Sequence, residues 1–187
     1  MKVTIGTLEL TRFTDEDSGD LYRIRNHSSI RRYMADSSPI SYKAHNKWVR
    51  ENLIEEPKIL LFMARRKKEA LAFTLLKKVA ADTAEMGVIF KEASKHPVLA
   101  SYCAAATLYV AFSRLNLDWL ISYVVTKHEK AFAMNRTFGG WEIESDKPGM
   151  IKFCVNREIC TGNQNYVKIL ERIKDRLKIT GENTLPF

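Results

Sequence analysis

The chain has 187 residues, enough for one domain that buries its own core, and its 30 Lys and Arg against 22 Asp and Glu leave a net charge of +8. That excess favours an anionic partner, either nucleic acid or a phosphate-bearing coenzyme or nucleotide-linked substrate. No segment approaches the roughly 18 consecutive apolar residues of a membrane span, MKVTIGTLEL lacks the apolar core of a signal peptide, and Cys103, Cys154 and Cys160 form no CxxC pair, which argues against membrane, secreted and zinc classes and for a reduced cytoplasmic setting.

Val3 to Leu10 alternates as a first or edge strand. Thr14 before Asp15-Glu16 is an N-cap signal for a helix to Arg25, with Leu21 and Ile24 as its apolar stripe. Ser28 or Ser29 caps a short helix through Met34. Ser41 caps another, with His45, Trp48, Val49 and Leu53 inward and Pro57 as its stop. Lys58–Ala64 and Ala70–Val79 read as strands joined by the Arg65-Arg66-Lys67-Lys68 cluster, a solvated hairpin turn. AEMGVIF, residues 84–90, is a third strand, and the all-round apolar stretch 98–115 is a helix buried against a sheet.

The stretch from Trp119 to Glu142, WLISYVVTKHEKAFAMNRTFGGWE, says most about function. A strand at 119–125 meets a polar break, then a short helix with Ala131, Phe132, Met134 and Phe138 inward, a Gly139-Gly140 stop, and a strand from Trp141. Strand, polar switch and helix collect polar groups at a strand's carboxyl end, which is where α/β proteins hold ligands. Asp146-Lys147-Pro148-Gly149 turns the chain into a last strand at 150–155, and residues 164–178 place Tyr166, Ile169, Leu170, Ile173 and Leu177 on one stripe of a docked tail helix. The whole reads as α/β with a mixed sheet whose first half is antiparallel.

This order of elements, with AEMGVIF, HEKAFAMNRTFGG, LYRIRNHSSIRRYM and ISYKAHNKWVRENL, resembles the GCN5-related N-acetyltransferase (GNAT) superfamily over residues 5 to 156. The first two segments resemble the ribosomal-protein alanine acetyltransferases, and the last two the sugar N-acetyltransferases of pseudaminic acid biosynthesis. The resemblance implies a GNAT-like acyl-CoA N-acyltransferase fold with a C-terminal helix, divided as an acetyltransferase domain at 1–160 and a helical tail at 161–187. It implies acetyl-CoA as cosubstrate, no metal, and an acceptor amine on a small molecule, a nucleotide-linked amino sugar or a protein N-terminus.

By the same resemblance, coenzyme contacts fall on Val88 and Phe90 of the third strand, on Lys95, Val98, Leu99, Ala100 and Ser101 around the following helix start, and on Asn135. Two departures stand out. In Lys95-His96-Pro97-Val98-Leu99-Ala100 a valine replaces the first glycine of the phosphate loop, and Pro97 donates no N–H. Where many members carry a proton-donating tyrosine this chain has Asn135, which is no general acid.

Acyl transfer to an amine needs a base, oxyanion donors and an acid for the thiolate. Glu85 is the candidate base, acting directly or through water, against a solvent-facing carboxylate paired with a lysine on the next strand. His128, just past a strand end, suits acid–base work or coenzyme contact, against helix capping. Arg25 and Asn26, with Tyr33 and Met34, are the acceptor-side candidates, against a helix C-cap and core packing. His45 reads as a satisfied core histidine. Two other function classes remain open: a binding module that kept the fold and lost the chemistry, and a modifier of nucleic acid or its bases, the latter without an Arg/Lys-rich helix or aromatic series to support it.

Overall fold

A computed structural model describes residues 1–55 and 58–181; the expected stop at Pro57 lies outside them. Nine strands among the described residues form one sheet in the order β7-β8-β6-β5-β4-β3-β2-β1-β9. The N-terminal stretch is a hairpin rather than one strand: β1 (Lys2–Ile5) and β2 (Leu8–Arg12) fold back at Gly6, whose φ of 59° suits the turn. A 3-10 turn at Asp15–Asp17 leads into α1 (Ser18–Asn26), with the Thr14 N–H donating to Asp17 Oδ2 at 2.8 Å. Next come α2 (Ser28–Arg31), α3 (Tyr42–Val49) with its Ser41 cap, and a π turn at Arg50–Ile54.

Strands β3 (Ile59–Arg66), β4 (Glu69–Lys78) and β5 (Thr83–Phe90) form an antiparallel meander. Lys67 and Lys68 make the first turn with φ of 49° and 70°. Arg65 departs from the expected solvated cluster: its guanidinium is mostly buried and bonded to Asp17 and Asp20 at 2.7 and 2.8 Å. Helix α4 (Pro97–Tyr109), prolonged by a π turn at Val110–Arg114, crosses to β6 (Trp119–Val125), which is parallel to β5. Then follow α5 (Glu129–Thr137), β7 (Trp141–Ile143), β8 (Met150–Asn156), α6 (Arg157–Gly162), α7 (Gln164–Ile173) and β9 (Leu177–Thr180).

Three expectations change here. Trp48 points outward from α3, 37% exposed, while His45 and Val49 hold the buried stripe. Helix α2 is capped by the His27 ring, which accepts from Ser29 N–H, rather than by a serine, and it ends at Arg31, short of Met34. The single tail helix ends at Ile173, and Leu177 belongs to β9, which pairs with β1 from Lys2↔Thr180 to Ile5↔Leu177.

Each face of the sheet has its own core, because alternate strand residues point to opposite sides. One face packs Leu60, Phe62, Leu76 and Ala84 against α4 and α7, where the alanines at 104–106 allow close approach and Tyr166 meets Phe138 edge-on at 6.2 Å. The other packs Leu61, Met63 and Phe73 under Leu21 and Ile24 of α1 and Val49 of α3. Burying aliphatic side chains of this size stabilises the fold by about 1.5–3 kcal/mol apiece before entropy is counted. The three cysteines are free and buried, and desolvation pushes the Cys103 and Cys160 thiols up to about 12. No helix among the described residues is long and apolar enough to cross a membrane.

Candidate active site

The site begins where two parallel strands part. β5 and β6 pair only through Thr83↔Trp119, Ala84↔Leu120 and Glu85↔Ile121, although both strands continue. Backbone direction follows from bonds at the strand ends. Thr83 C=O accepts from Val79 and Lys91 N–H donates to Leu71, so odd-numbered β5 residues bond β4. Val88 and Phe90 therefore turn their N–H and C=O groups toward β6, which has diverged beyond the Glu85↔Ile121 pair. On β6 the Thr126 N–H reaches Gly149 C=O and the Trp119 N–H reaches Asp82 C=O, so even residues bond β8 and the backbones of Tyr123 and Val125 face the gap. Val125 C=O already accepts from His128 N–H at 2.8 Å; the other backbone groups along the wedge lie beyond the β5–β6 ladder, and such a wedge can accept an extended, amide-bearing chain as a substitute strand.

The α4 crossover sets the start of that helix at the carboxyl ends of β5 and β6, beside the gap. Its first N–H groups have no intrahelical partner, except that Pro97 has none to offer and Ala100 N–H already bonds His96 C=O at 3.1 Å. Val98, more than half exposed, and Leu99 carry the donors nearest the terminus, and Ser101 Oγ bonds back to Pro97 C=O. Lys95 pairs with Glu92 at 2.5 Å, and Phe90 lies buried with its ring 6.4 Å from His96.

Helix α2 and the segment after it bridge the mouth. Ser29 Oγ accepts from Glu92 N–H beyond β5 at 3.4 Å, and the Tyr33 ring stacks on His128 beyond β6 with centroids 3.7 Å apart. Asn26 fixes the approach to α2 by exchanging two hydrogen bonds with the Ile40 backbone, at 2.8 and 3.0 Å. Arg31 braces the same loop through Asn26 C=O and Ser37 C=O. Arg25 is half-buried, its Nη1 has no hydrogen-bond partner, and burial lowers its pKa against the pull of Asp36. Met34 lies half-buried beside Tyr33.

His128 stands at the N-terminus of α5 without a side-chain cap bond. Burial, with Arg32 and Lys130 adding repulsion, pushes its pKa below the ordinary 6.5 and keeps the ring neutral at pH 7. Asn135 turns inward rather than outward: its Oδ1 accepts from Ser122 Oγ at 2.7 Å, which ties α5 to β6, and its Nδ2 donates within α5 to Ala131 C=O. Gly139 ends the helix at φ 83°, and Gly140 N–H returns to Asn135 C=O.

Glu85 occupies the last paired position before the gap. Its carboxylate meets Lys147 Nζ, 3.4 Å from Oε2 and 3.5 Å from Oε1, so its lysine comes from the β7–β8 turn instead of a neighbouring strand. The same ammonium lies 3.4 Å above the Tyr123 ring, whose hydroxyl donates to Asp146 at 2.7 Å, with Lys152 beside both. Tyr123, Asp146 and Lys147 were not among the candidate site residues of the sequence: Asp146 and Lys147 read only as a turn, and the alternation of β6, which puts Tyr123 on the face of Glu85, carried a hint of Tyr123 alone.

A family model described as an acetyltransferase (GNAT) domain matches residues 7–140. The chain belongs to the GNAT acetyltransferase family. No curated protein sequence matches it. Among solved structures, this GNAT chain is similar to spermidine N-acetyltransferase from Vibrio cholerae in complex with CoA and spermine, with a TM-score of 0.71 at 16% identity over 83% of this chain and 99% of that one. It is also similar to a GNAT-family acetyltransferase from Bacillus anthracis, with a TM-score of 0.68 at 16% identity over 84% and 99%. A domain from Methanocaldococcus jannaschii gives 0.69 at 11% identity over 80% and 97%. At such identities the likeness shows the GNAT fold.

Proposed function

We propose that this GNAT protein moves an acetyl group from acetyl-CoA to a primary amine, carried by a small molecule or a peptide N-terminus. The observation that carries the reading is the early end of the β5–β6 ladder, which leaves the backbone groups of Val88 and Phe90 facing a wedge that opens toward the start of α4. The residues fit such a coenzyme: the gap-facing amides suit an extended amide-bearing arm, and the Val98 and Leu99 N–H groups with Lys91 and Lys95 nearby suit phosphates. Bound there, acetyl-CoA supplies an activated acyl thioester.

The chain's own residues then do the proton and charge work. Glu85 takes a proton from the acceptor ammonium, directly or through one water, and frees its lone pair. Gap-facing N–H groups stand ready for the negative charge that develops on a carbonyl oxygen. Neutral His128 donates its ring N–H toward the departing sulfur, with the stacked Tyr33 fixing the ring and shedding water. The half-buried Arg25 and the Asn26-braced loop line the acceptor side. Release of thiol, followed over a panel of amines, tests the reading: turnover with some amine supports it, and none with any would leave only a binding module. That second reading draws on Pro97 and the spent Ala100 donor, which reduce the phosphate grip.

A further inference from the structure

Lys147 has a position that the fold alone does not require. It stands at the apex of the β7–β8 turn, where Ser145 Oγ accepts from its N–H and Gly149, at φ 70° with open space around it, turns the chain into β8. From there the side chain reaches across the sheet face to Glu85, 62 residues away in sequence. Its Nζ bridges the two strands at the point where they part, with the Glu85 carboxylate on β5 on one side and the face of Tyr123 on β6 on the other. A carboxylate and an aromatic face are the pair of groups that recognise a cationic amine, one by charge and the other by its quadrupole.

We infer that Glu85 and Tyr123 form a subsite for a primary alkylammonium, and that Lys147 is its intramolecular occupant, which the acceptor displaces. This rests on the reading of Glu85 as the residue that meets the acceptor. The walls of the subsite are strand-borne and fixed. Tyr123 is held by Asp146 through its hydroxyl, and Glu85 by pairing on both edges of β5, to Lys77 and to Ile121. The occupant, by contrast, hangs from a turn, and its side chain keeps 41% of its surface exposed. It can leave by rotation of its own chain while the sheet stays intact. The subsite takes a slender, unbranched ammonium arm of the kind a lysine side chain presents, because such an arm already occupies it. An arylamine, uncharged at neutral pH, is excluded by the same chemistry.

Two titrations separate this inference from the function it rests on. Butylammonium is titrated calorimetrically, without coenzyme, into the full-length protein and into Lys147→Met, Lys147→Met/Glu85→Gln and Lys152→Met. Lys147→Met should bind at least about tenfold more tightly than the parent, the double variant should lose that gain, and Lys152→Met, which removes equal charge from the same network without touching Glu85, should gain less. Equal affinity in parent and Lys147→Met, both folded by circular dichroism, overturns the inference. So does an equal gain in Lys152→Met, since it would report net charge alone. Acetyl-CoA titrated into the same proteins reports on the coenzyme site separately, so a failure of the subsite is distinguishable from a failure of the acetyltransferase reading.

Discussion

The Tyr33 ring lies on the His128 imidazole, 3.7 Å between centroids and 21° between planes, and ties the segment after α2 to the start of α5. The contact shields the imidazole from water, and that burial is the largest cause of its lowered pKa, ahead of Arg32 and Lys130. Tyr33→Leu should re-solvate the ring and raise its pKa toward the ordinary value of about 6.5, read by NMR titration of the imidazole protons. His128→Ala should lower turnover at neutral pH by about 10- to 100-fold. If His128→Ala shifts the melting temperature alone, the ring is only a structural element of the α5 start.

Glu85→Gln keeps the shape of the residue while removing its charge and basicity. Turnover should fall by about 10²- to 10⁴-fold, with acetyl-CoA affinity little changed, because the proposed role of Glu85 is to meet the acceptor rather than the coenzyme. An unaltered rate in single-turnover measurements removes Glu85 from the base role.

Asn26 makes two reciprocal bonds with Ile40, and Arg31 bonds the Asn26 carbonyl, so one amide side chain sets the loop that precedes α3. Asn26→Ala leaves a half-buried N–H and C=O unpaired, and should destabilise the protein by about 1–3 kcal/mol in denaturant melts. The acceptor KM should rise more than that for acetyl-CoA. Equal changes in both would separate this loop from acceptor binding.

His45 predicts an acid-sensitive fold. Its ring is buried beside Tyr22 and Tyr42, and Nε2 donates to Ser18 C=O at 3.0 Å. Burial lowers its pKa, and the bond to Ser18 offsets this only in part. Below the ordinary 6.5 the unfolded chain binds this proton more readily than the folded one. The contribution is therefore whole above 6.5 and is lost as pH falls through the folded value, with His128 acting in the same direction. The thermal midpoint should drop between pH 7 and about 5. In His45→Gln that slope should be shallower; an identical slope contradicts the assignment.

Local signals were legible and long-range ones were not. The 119–125 strand, the Ser41 cap and the Gly139 stop are written in adjacent residues, and the structure places each where the pattern does. Trp48 misled because a three-residue step from His45 fits a buried stripe, yet Val49 takes that place. Leu177 continues the spacing of Ile169 and Ile173, and nothing local says that Arg176 N–H closes a turn on Ile173 C=O or that β1 offers an open edge to β9. Glu85 and His128 were found as chemically competent residues beside strand ends. Their partners, Lys147 and Tyr33, come from distant parts of the chain and are fixed only by the tertiary fold.

Acetyl-CoA binding to the folded parent and to Val88→Pro tests the central claim most directly, because Val88 N–H faces the gap whereas that of Ile89 bonds β4. Proline at 88 removes one gap-facing donor and spares the β4 ladder. Calorimetry should show binding to the parent, weakened about tenfold in Val88→Pro with the fold retained by circular dichroism. Absence of binding to the folded parent at millimolar acetyl-CoA, or equal affinity in the two proteins, would contradict a coenzyme held between the parted strands.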